Sequence, residues 1–388
     1  MRGLAKLVMI KIKKFFNKLL LTKNSYHRAD RFLIIIVGLI IIFGLVMLLS
    51  ASSVVAYNSY QDSYYFFKHQ LIGLSAGLLA FWFFSRFDYH RWKKMAFYLL
   101  IFSLILLLLV FIPGLAAGWG KAKSWIKVFG HSLQPAEIAK ITFLIYLAAW
   151  LEARKNQLKD FSQAIGPFII ILGLVSLLML LQPDFGTLFI IATTSLIVYF
   201  VAGGSLKHIF FILIIGLVAL AIMINLKPYQ VNRFKCLVDP EFSKKEYCYQ
   251  VNQSLIAIGS GGIFGRGLGA SRQKFLYIPE VVGDSIFAVI GEETGWLFSS
   301  ALIILFLALF YRGMMIAKNA TDDFGRILAV GIVSWLTIQA LINIGGLINF
   351  IPLTGLPLPL ISYGGTALMA SLSAVGILVN ISKQTRLK

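Results

Sequence analysis

The chain has 388 residues, of which 59% are hydrophobic and only 13% charged, and its mean hydropathy is +0.83. Soluble domains are nearer half apolar and a quarter charged, so this composition excludes an ordinary soluble globule and indicates a polytopic membrane protein. The net charge of +20 would suggest nucleic acid in a soluble chain; here its distribution along the sequence decides.

Residues 1–31 form a basic tail with nine Lys and Arg against the single acid Asp30. Leu4, Val8, Ile12, Phe15, Phe16 and Leu19 recur at roughly helical spacing, the pattern of a basic helix on an anionic leaflet or of a basic tail that fixes topology. Ten apolar segments follow, near 32–55, 67–85, 95–113, 136–152, 165–182, 186–202, 208–226, 284–311, 326–349 and 359–381. About 20 apolar residues cross the hydrocarbon core as a helix. The expectation is an all-α polytopic membrane protein with about ten transmembrane helices in one domain, 32–382. A long, partly helical loop, 227–283, separates the seventh from the eighth, and 383–388 form a short tail.

With the N-terminus inside, 23 of the 36 Lys and Arg fall on the cytoplasmic side, so both termini are expected in the cytoplasm. Eight of the remainder lie in the loop 227–283, which is too long for that rule. Anionic headgroups or a phosphate-bearing lipid explain them better than nucleic acid, and no nucleic-acid partner is expected. The two cysteines, Cys236 and Cys248, share this loop. They form a disulfide if it faces an oxidising compartment, and otherwise remain free thiols.

Four stretches interrupt the apolar pattern on the predicted outer side: 118–140 (GWGKAKSWIKVFGHSLQPAEIAK), 182–187 (QPDFGT), the long loop itself, and 357–368 (PLPLISYGGTAL). Broken helices at membrane depth are tolerated only where protein or a cavity surrounds them. Each stretch also has a plainer reading. Asp184 can cap the sixth helix, and Ser362, Gly364 and Gly365 can permit close packing. Trp119 and Trp125 can anchor an interface. Glu137 and Lys140, three apart, can neutralise each other. Glu292 sits about 80° around from Asp284 and about 12 Å along a helix, which suits a supporting role. Asp284 is hardest to explain away, because it opens an apolar segment straight after a basic, Gly-rich loop.

No GxxxxGK[ST] or HExxH occurs, the GxSxG at 73–77 (GLSAG) lies inside an apolar segment and not on a strand-to-helix turn, and the five histidines are scattered, so P-loop hydrolysis, a zinc protease and a hydrolase triad are excluded. Carboxylates beside lysines and arginines remain. That set suits removal of a proton from an attacking hydroxyl while cations, or a metal ion, hold a leaving phosphate.

The stretches AKSWI with QPAEIAK, QPDFGT, YQVNQSLIAIGSGGIFGRGLGAS, PEVVGDSIFAVIGEETG and LPLPLISYGGTAL, in this order, resemble the SEDS family of FtsW, RodA and SpoVE. The likeness covers nearly the whole chain after the tail, and LISYGG is closer to FtsW. It implies ten transmembrane helices in a bacterial plasma membrane. It also implies a glycosyltransferase that polymerises lipid II on the outer face, for division or, RodA-like, for elongation. A class B penicillin-binding protein and other divisome or elongasome membrane proteins are the implied partners. The family's essential loop aspartate falls on Asp284, as general base or as ligand of a divalent cation, Mg or Mn; no cofactor is otherwise implied. Trp125, Gln134, Glu137, Lys140 and Asp184 match family motif positions. With Lys121, Lys123, Arg266, Arg272, Lys274, Glu280 and Ser362 they form the expected substrate-binding set. Ser124 stands where the family often has Arg before the Trp, and Val281-Val282-Gly283 replaces a polar lead into the aspartate. A lipid flippase or a non-catalytic scaffold are the alternatives for such a chain.

Overall fold

The computed structural model describes residues 27–115, 124–128, 131–226, 228–239, 241–243 and 245–385. Most of the basic tail, together with Trp119, Lys121 and Lys123, lies outside the described residues. Twelve α-helices are present among the described residues. They are α1 (Arg31–Tyr60), α2 (Tyr65–Arg86), α3 (Tyr89–Leu109), α4 (Pro135–Ala153), α5 (Phe161–Leu181), α6 (Phe185–Val201), α7 (Leu206–Leu226), α8 (Pro228–Val238), α9 (Tyr249–Ser260), α10 (Ile286–Lys318), α11 (Asp323–Leu347) and α12 (Gly365–Ser382). A two-stranded antiparallel hairpin, β1 (Ile126–Val128) and β2 (His131–Leu133), precedes α4.

Each of the ten predicted apolar segments appears as a helix, and α8 and α9 are the helical parts of the long loop. Six helices are long and apolar enough to cross a membrane by length and composition, and α6 and the first part of α7 are shorter apolar ones. Most of the bundle helices show little difference between their faces, as expected where lipid replaces water around the bundle. Nearly every residue of α11 is buried, which makes it the central helix. Helices α1, α3, α5 and α10 instead expose large apolar side chains such as Phe32, Ile105, Ile170 and Ile304.

Acidic side chains account for many helix starts. Asp30, Asp88, Asp160, Asp184 and Asp322 each accept a bond from a backbone N–H in the first turn of α1, α3, α5, α6 and α11. Asp88 moves the start of the third helix to Tyr89, earlier than the apolar run near 95 suggested. Four of these caps lie on the face that carries the two described chain ends. There Asp30 pairs with Arg312, His27 N–H donates to the Lys383 carbonyl (3.3 Å), and Asn380 bridges Tyr89 N–H and the Ser85 carbonyl (3.0 Å each). The opposite face carries the hairpin, the QPDFGT turn, the described residues between 228 and 285, and residues 348–364.

Two predicted helices differ from expectation. The last begins at Gly365, not near 359, and residues 359–364 are a turn. The eighth is not one continuous helix: α10 breaks at Gly295 (φ 72°). An unbroken helix would bond Trp296 N–H to the Glu292 carbonyl and Leu297 N–H to that of Glu293. Instead, Trp296 and Leu297 N–H donate to the carbonyls of Gly262 (2.9 Å) and Ile263 (3.1 Å). The carbonyls of Glu292 and Glu293 take Arg266 and Gly267 N–H (3.0 Å each). These four backbone groups are thus returned to the loop, which is the condition for irregular backbone at membrane depth.

That exchange requires bare backbone on both sides. A Cβ added at Gly265 (φ 80°) would stand 2.2 Å from the Glu293 carbonyl oxygen, and one at Gly295 2.2 Å from Gly265 N. Gly265→Ala is therefore expected to cost roughly 1–2 kcal/mol for the left-handed backbone and a further 1–3 kcal/mol for overpacking. Its melting temperature in detergent should fall clearly below wild type. Gly216→Ala in α7, where a Cβ meets nothing within 4 Å, should leave it unchanged.

Candidate active site

Asp284 lies two residues before α10, outside the spanning segments, and Ser285, not Asp284, occupies the cap position. Its surroundings come from four elements. From α9, Gln250 Nε2 donates to Asp284 Oδ1 (3.1 Å) and to Ser285 Oγ (2.8 Å). From α11, Asn343 Nδ2 donates to the Asp284 carbonyl (2.6 Å) and to that of Leu356 (2.7 Å). From the turn before α12, Ser362 Oγ donates to the Gly283 carbonyl (2.6 Å) and accepts Leu358 N–H (2.8 Å), and Tyr363 N–H donates to the Val282 carbonyl (2.9 Å). From α2, Gln70 holds that turn through the Ser362 carbonyl and Gly364 N–H (3.1 Å each). The second carboxylate oxygen, Oδ2, faces Gly355 (φ 74°), where an added Cβ would lie 3.6 Å from it.

Burial and the neighbouring carboxylate of Glu280 push the Asp284 carboxyl up to about 7, against the opposing pull of Arg233, Ser285 and Gln250. A carboxylate near 7 and partly open to its surroundings can accept a proton from a hydroxyl at neutral pH.

A second layer holds the floor. Glu137 and Lys140 form a fully buried pair (2.8 Å). Lys140 also donates to Gln339 Oε1 (2.8 Å), and Gln339 Nε2 donates to the Pro357 carbonyl (2.9 Å). The pair therefore supports the turn that carries Ser362, and it presents no open face to a substrate. Asp184 caps α6 through Thr187 N–H (3.0 Å), and its Oδ2 is buried without a hydrogen-bond partner. Burial raises its carboxyl above the ordinary range. Gly186 of the same motif abuts Leu356. Gln134 precedes α4, where its carbonyl accepts Glu137 N–H (3.1 Å). Trp125 is half-buried beside β1.

The basic loop residues divide. Lys274 is buried, with Nζ on Glu293 (2.9 Å), Ser50 Oγ (3.1 Å) and the Gly269 carbonyl (2.8 Å). Glu292 accepts Ser271 Oγ (2.6 Å) and the N–H groups of Arg272 (3.0 Å) and Gln273 (3.2 Å). Lys274 is thus an internal strut. Arg266 faces Glu292 (3.8 Å), and Arg272 is exposed. Cys236 and Cys248 are bonded, with Cα atoms 5.4 Å apart.

The structure brings Asp284, Glu280 and Ser362 together and adds Gln250, Asn343, Gln70 and Arg233, which sequence reasoning passed over. Asn343 and Gln70 carried a usable signal, an amide inside an apolar segment. Among the described residues no three His, Cys, Asp or Glu side chains cluster to hold a metal ion.

These features define an all-α polytopic membrane protein with a carboxylate site on one face. The chain belongs to the FtsW/RodA/SpoVE family, described as cell cycle proteins, which matches residues 30–387. It is 38% identical to the Bacillus subtilis stage V sporulation protein E over 92% of this chain and 98% of that one. It is 37% identical to a probable peptidoglycan glycosyltransferase FtsW of Geobacter metallireducens, over 95% and 98% of the two chains. A chain of a solved peptidoglycan synthase complex superposes with TM-score 0.73 at 27% identity, covering 91% of this chain and 97% of that one. The Thermus thermophilus rod shape determining protein RodA gives 0.70 at 26%, covering 94% and 99%.

The Lys274–Glu293 strut makes a stability prediction. Lys274→Met should cost about 3–5 kcal/mol by leaving a buried carboxylate unpaired, and Lys274→Met with Glu293→Gln should recover most of it. Thermal melts of the two variants against wild type check this.

Proposed function

We propose that this membrane glycosyltransferase polymerises lipid II into glycan strands on the outer face of the plasma membrane, with Asp284 as the general base. The observation that carries the reading is the Asp284 carboxylate itself. It is held through Oδ1, stands beside Glu280, and keeps Oδ2 toward the small residue Gly355. In this reading Asp284 takes the proton from the acceptor sugar's 4-hydroxyl. The oxygen forms the new bond to the donor's anomeric carbon as the bond to undecaprenyl pyrophosphate breaks, with inversion. Arg266 and Arg272 are exposed cations on the Gly-rich end of the loop for the leaving pyrophosphate, joined by Lys121 and Lys123, which lie outside the described residues. Trp125 and Gln134 stand on the same face for the sugar or lipid.

Asp284 and Glu280 supply two carboxylates, so a divalent cation there would take its other ligands from water and substrate phosphate, as Mg commonly does. The positive-inside distribution supports cytoplasmic termini and an outward site. The family's description as cell cycle proteins and the relatives named FtsW support a division-type role, and the likeness to a chain of a peptidoglycan synthase complex supports a class B penicillin-binding protein as partner.

Purified wild type should make glycan chains from lipid II, and Asp284→Asn, which keeps the size and removes the base, should make none. Chains from well-folded Asp284→Asn would overturn the assignment. Chains from neither protein, with or without the transpeptidase and a divalent cation, would move the function to lipid transport or scaffolding. The base must be deprotonated and its carboxyl sits at about 7, so the wild-type rate should rise with pH through about 7 and fall about tenfold per unit well below it.

A further inference from the structure

We propose that α8 and α9, locked together by the Cys236–Cys248 disulfide, act as a clasp that orients the Asp284 carboxylate, with Gln250 as its positioning residue. The inference rests on the reading of Asp284 as the base. Cys248 is the residue before α9, and Gln250 is two residues further on. Both amide hydrogens of Gln250 are used, one on Asp284 Oδ1 (3.1 Å) and one on Ser285 Oγ (2.8 Å), so the side chain fixes the carboxylate and the residue after it at once. Ser254 Oγ in turn donates to the Gln250 carbonyl (2.7 Å) within α9.

The other half of the bridge serves the other carboxylate oxygen. Cys236 lies one helical turn after Arg233 on α8. Arg233 Nη1 donates to the Leu353 carbonyl (2.6 Å), two residues before Gly355, which faces Asp284 Oδ2. Asn349, just past α11, donates to the carbonyls of Cys236 and Leu237 (3.4 Å each). The disulfide therefore joins the element that sets Oδ1 to the element that fastens the backbone beside Oδ2. The described residues between the two cysteines are largely exposed. Without the bridge, only that exposed turn would connect α8 to α9. The charged groups bearing on Asp284 are Glu280 and Arg233, and of these Arg233 travels with the clasp.

A positioning role predicts a loss in turnover without a loss in substrate binding. In nanodiscs with purified lipid II, Gln250→Ala should lower kcat by about 10- to 100-fold, the scale of a misplaced catalytic group. Its apparent KM should change by less than about twofold. Gln250→Glu, equal in length but without the donors, should lose at least as much. Cys236→Ser with Cys248→Ser, and wild type reduced with dithiothreitol, should show a drop in kcat of the same sense. Adding Gln250→Ala to the disulfide-free background should cost clearly less than it does alone. Wild-type kcat in folded Gln250→Ala overturns the positioning role. Wild-type kcat in the reduced protein, or full additivity of the two changes, overturns the clasp. Reduction leaves every side chain other than the two cysteines unchanged, so the test holds even where a variant folds poorly. Activity in Asp284→Asn would instead overturn the base assignment, a separate result.

Discussion

The constraint on which the rest of this structure depends is the cost of an unpaired backbone group away from water. A peptide N–H or C=O left bare in an apolar medium costs several kcal/mol, so a helix at membrane depth can break only where something replaces its bonds. At Gly295 the chain does this group by group. The loop 262–267 supplies two carbonyls and two N–H groups to the four partners that α10 releases. Glycines at 265 and 295 make the approach possible, because any side chain there would occupy the space of a peptide oxygen or nitrogen.

The buried charges follow from that break. Glu292 and Glu293 flank it, and their carboxylates turn back onto the loop as acceptors for Ser271, Arg272, Gln273 and Lys274. Ser50 of α1 completes the Glu293 contact. A buried carboxylate is tolerable only when its oxygens are satisfied, and these are. The loop so fixed leads directly into Glu280 and Asp284. A broken backbone rebonded to the loop and a set of buried acids thus hold one further acid in an environment where it stays partly protonated near neutral pH.

The site is layered for the same reason. Asp284 is held by amides and hydroxyls, which fix its geometry without neutralising it as a direct cation would. The two buried lysines are kept one layer away: Lys140 with Glu137 under the turn at Pro357, and Lys274 with Glu293 under the loop. A lysine in contact with Asp284 would hold its carboxyl low and weaken it as a base. Placing the cations behind amides supports the site mechanically and leaves the carboxylate basic.

The sequence by itself determined the class of fold, the ten apolar segments, the loop between the seventh and eighth, and Asp284 as the focus. Those features are local: length and hydropathy decide whether a segment crosses lipid, and an acid at the mouth of one stands out against its neighbours. It also supplied both plain and functional readings of Glu137, Lys140 and Asp184. Only the tertiary structure showed what they contact, burying the first two as a pair and using the third as a cap. The break at Gly295, the role of Lys274 as a strut, and the convergence of Gln250, Asn343 and Ser362 on Asp284 were likewise outside its reach. Each depends on partners tens of residues away, and a hydrogen bond between distant segments leaves no periodicity in either one.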